Sequence, residues 1–271
     1  MKILKEKLKN GYISILDYFN EAFKLFWHLI RKEKKWILLI FAILLITAII
    51  EKKLQTITLL NSKINLEYIF ISHFLTYPLY ATYWVLYRKI IFKLTDRNEN
   101  LNILKSYIKA FITAIIISIP ILIITICSFY IDFLKYSHSY ELISLISQIS
   151  LSVIIFSVVV ACIFIYFLQV HMSKDLPLKE TLNYTLEVSQ SNRWRYIVCF
   201  LIESAAVFFI KTIIKTVTAF FMILLDLNIE SIGIIIIKTF IENFVPALSA
   251  IYSISLISII FVNVDYQKQK K

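Results

Sequence analysis

AFITAIIISIPILIITICSFYIDF, residues Ala110–Phe133, holds one charged side chain, Asp132, in 24 positions. A helix needs roughly 20 predominantly apolar residues to cross about 30 Å of hydrocarbon. The run is therefore long enough to span a bilayer. It is also too uniformly apolar for one face of a helix in an ordinary soluble domain. Five similar runs lie on either side of it, at residues 36–50, 66–87, 142–170, 196–215 and 244–264. The first is short and leans on Lys34, Lys35, Lys52 and Lys53, whose stems can carry their charges to the headgroups. The fourth is long enough to tilt or to project beyond the membrane. The composition agrees, with 59% apolar and 17% charged residues and a mean hydropathy of +0.76. An all-α, polytopic membrane bundle of about six spans, forming one domain over 1–271, is the fold these runs imply.

The gaps between the runs set the orientation. Nine of the Lys and Arg residues fall in 1–35, six in 88–109, four in 171–195 and three in the tail after 264, which is 22 of the 29 in the chain. Short loops rich in Lys and Arg stay in the cytoplasm. Six spans place all four of these segments, and both termini, on that side. Residues 1–35 are mixed in charge and lack the pattern of a cleaved signal, so the N-terminus is expected to remain. The formal net charge of +11 is then directed at anionic lipid headgroups on the cytoplasmic face. Because the positive residues hug span ends and form no separate domain, nucleic acid is not expected as a partner.

Each inward connection also carries an amphipathic pattern. In residues 12–31, Tyr12, Leu16, Phe19, Phe23, Phe26 and Ile30 recur at spacings of four and three, with Asp17, Glu21, Lys24, His28 and Arg31 opposite them. Such a helix lies along the membrane surface or against the bundle. Leu101, Leu104, Ile108 and Phe111 repeat the design ahead of the third span. A weaker version covers 176–189, with Asp175 expected as N-cap and Pro177 in the first turn.

Ionisable residues inside spans are the natural place to search for chemistry. His73 and Glu203 are the deepest, each roughly 10 Å from an interface at about 1.5 Å per residue. They would serve a proton or cation relay if they met beside water, or interhelical packing if each is satisfied in a dry contact. Lys211 with Lys215, and Lys238 with Glu242, are one turn apart. They read as snorkelling groups and an ion pair, or as an outer-face site for an anionic lipid, with 216–241 as a helical hairpin. Ser157 with Ala161, and Ser249 with Ser253, have the small-xxx-small spacing that lets helices approach. Pro78 and Pro120 read as kinks. Trp36, and Arg193, Trp194 and Arg195 together, read as anchors where the first and fifth spans enter the membrane.

Cys127, Cys162 and Cys199 lie in apolar runs without CxxC spacing, and the four histidines are scattered, so no metal site is expected. With two glycines in the chain, phosphate-cradling motifs are out of reach. No catalytic residue and no cofactor are expected. The reading is a non-enzymatic inner-membrane protein, with a transporter or permease component as the alternative and an intramembrane enzyme third.

The segment Leu176–Thr212, LPLKETLNYTLEVSQSNRWRYIVCFLIESAAVFFIKT, has an amphipathic helix, an Asn-Arg-Trp-Arg junction and then an apolar span. In this it resembles the YciC-type family of uncharacterised bacterial inner-membrane proteins and, more distantly, the membrane domains of glycerophosphodiester phosphodiesterases. The likeness is of placement and hydropathy over roughly 95–265. It implies a bacterial inner-membrane address and a helical architecture, and it carries over no reaction.

Overall fold

The computed structural model describes residues 2–60, 65–96, 102–136, 140–224 and 232–270; the side chains of 2, 51–60, 65–70, 72–73, 129, 132–136, 222–224, 232–240 and 242 lie outside that description. Among the described residues the protein is all helix. The ten elements are α1 (Lys2–Asn10), α2 (Ile15–Lys32), α3 (Lys34–Leu60), α4 (Asn65–Leu94), α5 (Ile103–Tyr136), α6 (Tyr140–Ile163), α7 (Phe167–Ser173), α8 (Leu178–Gln190), α9 (Arg193–Leu224) and α10 (Ile232–Gln269). Four are long and apolar enough, among the described residues, to cross a membrane: α5, α6, α9 and α10. α3 and α4 run 27 and 30 residues, and they hold the first two apolar runs.

Local chemistry explains the boundaries at the N-terminal end. Residues 2–32 of the basic segment form two helices, separated at Gly11–Ser14, and Lys34 and Lys35 open α3. Ser14 caps α2: its Oγ accepts the Asp17 N–H at 3.1 Å and donates to the Asp17 carboxylate at 2.8 Å. This satisfies one of the orphan donors of the first turn. Glu33 alone separates α2 from α3, its N–H bonding the Leu29 carbonyl at 2.8 Å. Asp96 closes α4 with φ 55, a left-handed conformation that Asp tolerates.

Two boundaries differ from the sequence reading. The run 142–170 is not one helix: α6 stops at Ile163, a turn follows, and α7 starts at Phe167. Asp175 does not cap α8; the N-cap is Pro177, which makes no side-chain cap bond. The Asp175 carboxylate is instead taken by Arg88, as described below. Conversely, α9 continues through Lys211 and Lys215 to Leu224, and the residues that would join it to α10 are outside the described set.

α4, α5 and α10 each continue through a proline, Pro78, Pro120 and Pro246 respectively. Hydroxyls gather at these points. Thr82 and Tyr107 donate to the Pro78 carbonyl at 2.8 and 3.2 Å, Tyr77 meets Ser118 at 2.7 Å, and Ser249 donates to the Pro246 carbonyl at 2.9 Å. A proline frees the carbonyl four residues before it; the hydroxyls here fall instead on the carbonyls of Pro78 and Pro246, and Tyr107 and the Tyr77–Ser118 contact tie α5 to α4 at this level.

α10 is the centre of the molecule. It packs against α1, α2, α3, α4 and α9. Ile251, Ile259, Ile260, Phe261, Val262 and Val264 in its C-terminal half are essentially inaccessible. α6 is the opposite case. It packs on α5 alone among the stronger helix contacts, and none of its residues is buried. The core is thus concentrated at one end, around the C-terminal halves of α4 and α10 together with α1, α2, α7 and α8.

Candidate functional site at the basic end of the bundle

In the run SIIFVNVDYQKQ at the end of α10, Asn263 and Asp265 interrupt an apolar stretch. Both are buried, so their polar atoms need partners. The Asn263 amide donates to the carbonyls of Leu8 and Gly11, both at 2.8 Å, and its oxygen accepts the Tyr18 hydroxyl at 2.6 Å and the Ile13 N–H at 3.4 Å. One side chain thereby fastens α1, the Gly11–Ser14 link and α2 to α10. Asp265 pairs with Lys174 at 2.9 Å, accepts Gln269 at 2.9 Å and also accepts the Tyr184 hydroxyl. Two ammonium groups approach the Tyr184 ring, Lys174 at 4.1 Å and Lys268 at 3.5 Å from its centroid, within cation–π distance.

Further ion pairs join the remaining basic segments. Lys5 pairs with Asp96, and Lys268 with Glu187. Glu33 is shared by Lys89, at 2.6 Å, and Lys93. Lys7 reaches Asp17 at 2.9 Å and Glu21 at 3.2 Å, while Lys24 meets Glu21 at 3.0 Å. Asp175 is shared by Arg88 at 2.6 Å and Lys109 at 3.4 Å. A cavity of about 310 Å³ lies between α1 and α2, lined by Ile3, Leu4, Lys7, Glu21, Lys24, Leu25 and His28. Every one of the four segments that hold the 22 positive residues is tied to another of them. They form one layer at one end of the bundle.

The charges in this layer perturb one another in opposite senses. Burial pushes the carboxyls of Glu21, Glu33 and Asp175 up, but hydrogen bonds from their Lys or Arg partners outweigh it and leave all three below the ordinary range. Asp17 is lowered chiefly by its hydrogen bond from Lys7. His171 is pushed down to about 4, first by burial and then by the Lys109 charge. Its Nδ1 is buried and has no hydrogen-bond partner, and its ring stacks on Phe167.

The residues singled out in the sequence fall in three groups. Glu203 on α9 is buried and meets the Ser253 hydroxyl of α10, so the Ser249–Ser253 seam does pack inside the bundle. Ser157 turns its hydroxyl back to the Val153 carbonyl at 2.7 Å, and Ala161 is exposed. Arg195 is held by the Gly11–Ser14 link. Its guanidinium lies over the Tyr12 ring at 4.2 Å and donates to the Ile13 carbonyl at 3.2 Å. Trp194 is 75% exposed, Lys89 sits 6.0 Å from the Trp36 ring, and the Nε of Arg193 is buried without a partner. The side chains of His73, Lys238 and Glu242 lie outside the described residues. No group of three His, Cys, Asp or Glu residues could hold a metal ion among the described residues. Comparison with family models, curated proteins and solved structures finds no match.

Sequence reasoning missed Asn263 and Asp265 as organising residues. The available signal was their position: two polar groups in the last turns of an apolar run, where a lipid-facing helix would carry none.

Proposed function

We propose that the protein is a six-span component of a bacterial cytoplasmic membrane, with both termini in the cytoplasm, that works without catalysis through the helical layer at its basic end. The observation that carries this reading is the convergence of residues 1–35, 88–109, 171–195 and the C-terminal tail into one cross-linked layer. Segments that share a side of the membrane can meet in this way, and positive segments remain on the cytoplasmic side. The likeness of Leu176–Thr212 to YciC-type proteins supports the same address. Glu203 supports packing over a proton path, because it is buried against Ser253, while the hydroxyls of α6 belong to a helix packed on α5.

Reporter fusions test the reading. Fusions after Arg97, Lys179 and Lys271 should report the cytoplasm, and fusions after Lys63, Lys135 and Asn228 the opposite side. A reversed pattern, or one that places two of the basic segments on different sides, overturns it.

A further inference from the structure

Five cations in the basic layer are balanced by carboxylates. Lys7 and Lys24 face Asp17 and Glu21, Lys5 faces Asp96, Lys174 faces Asp265, and Lys268 faces Glu187. Two further carboxylates, Glu33 and Asp175, are each shared by two cations from other helices. Lys89 and Lys93 share Glu33. These lysines sit in the last turns of α4, where the negative end of the helix dipole favours positive charge.

The other shared carboxylate, Asp175, draws one cation from the end of α4 and one from the start of α5. Arg88 and Lys109 share the carboxylate of Asp175, Lys105 is close enough to Lys109 for their charges to interact, and His171 is a further titratable neighbour. Arg88 is 6% exposed and holds Asp175 at 2.6 Å, yet its Nε has no hydrogen-bond partner. Lys109 reaches the same carboxylate only at 3.4 Å. Lys105 is exposed, lies one turn from Lys109 on the same face, and forms no ion pair among the described residues. Both lysines are in the first two turns of α5, whose N-terminus adds positive potential. Beside them Leu104, Ile108 and Ile112 are all at least half exposed. An acidic protein segment would leave these apolar side chains bare. A lipid would cover them with its chains while its phosphate met the ammonium groups.

We infer that Lys105 and Lys109, backed by the Arg88–Asp175 pair, form a seat for the phosphate of an anionic lipid headgroup in the inner leaflet, with the acyl chains along Leu104, Ile108 and Ile112. This rests on the orientation proposed above.

The test is a titration of the full-length protein in non-ionic detergent with short-chain phosphatidylglycerol, short-chain phosphatidylcholine and inorganic phosphate, read by native mass spectrometry. Saturable binding of phosphatidylglycerol is expected, in preference to phosphatidylcholine. Removing a lysine near an anionic headgroup costs about fivefold in affinity, so K105Q/K109Q should weaken binding by at least about tenfold. K105R/K109R should retain it, which also shows that the fold tolerates change there. K34Q/K35Q, which removes two exposed lysines elsewhere in the layer, should change it by less than about twofold. Equal losses in K105Q/K109Q and K34Q/K35Q overturn the site in favour of diffuse attraction. Displacement of the lipid by equimolar inorganic phosphate overturns the lipid as its occupant. Lys105→Cys that reacts only with reagent added from outside the cell overturns the orientation; reaction from the cytoplasmic side with no lipid preference overturns the site alone.

Discussion

The stretch Asn243–Gln269 of α10 and the whole of α6 are both strongly apolar, yet much of the first is buried and none of the second is. Hydropathy therefore says little about which helix carries the fold. The difference lies in polar residues. α10 ends in Asn263 and Asp265, each of which fastens other elements, whereas the hydroxyls of α6 at Ser152 and Ser157 return to carbonyls of their own helix. Apolar surface is as comfortable against lipid as against protein, so burial in such a chain follows the directional contacts.

The largest effect should come from Asn263→Leu. It leaves the Tyr18 hydroxyl, the Ile13 N–H and the Gly11 carbonyl without their Asn263 partner, while the Leu8 carbonyl keeps Gln267, at about 1–3 kcal/mol for each buried group that finds no substitute. Unfolding in mild detergent should show a loss on the order of 3 kcal/mol or more. Asp265→Ala should follow, at about 3 kcal/mol, because it strands the half-buried Lys174 charge; the double variant with Lys174→Met should recover much of that loss. If the single and double variants are equally destabilised, the pair is not what holds α8 and the α7–α8 link to α10.

A third, smaller effect depends on pH. The folded state holds His171 near pKa 4, below its ordinary 6.5, so the unfolded chain binds more protons between those values. Stability is then fully present above about pH 6.5 and declines as the pH falls toward 4. Below that, the lowered carboxyls of Glu21, Glu33 and Asp175 add their own losses as they protonate. In His171→Gln the slope between pH 6.5 and 4 should flatten; an unchanged slope would assign it to other groups. The smallest effect belongs to α6, where Val159→Leu should stay within about 0.5 kcal/mol. A large loss there would mean that α6 is buried against something other than α5.

Much of this architecture was legible in the sequence, in particular the helical class, the apolar runs behind α5, α6, α9 and α10, and the gathering of positive residues at one end. Faces were less legible. In α2 the expected apolar stripe includes Leu16 and Phe23, which are 71% and 54% exposed, while Tyr18, Ala22, Leu25 and Leu29 are buried. The two sets lie roughly 100° apart around a helix of about 3.6 residues per turn. α2 has a buried face, a charged face and a bare apolar face, and periodicity alone cannot rank the first against the third. α5 inverts the rule outright: Leu104 and Ile108 are exposed, while Ser106, Ala110 and Thr113 are buried. Small and hydroxyl side chains let helices approach, so they turn inward where lipid is the solvent. Asp175 and Arg195 show a different limit. Each has a sensible local role as a cap or an anchor, and each is claimed by a partner 87 or 182 residues away.

The most direct test of the central claim is cross-linking of the basic layer in intact cells. With the three native cysteines replaced by alanine, Lys5→Cys/Asp96→Cys and Lys268→Cys/Glu187→Cys join residues that meet as ion pairs across the layer. Both pairs should be bridged by a short bismaleimide that crosses the membrane, and neither should be blocked beforehand by a maleimide that cannot. Absence of bridging in both pairs, or protection by the impermeant reagent, would contradict a single cytoplasmic layer built from all four basic segments.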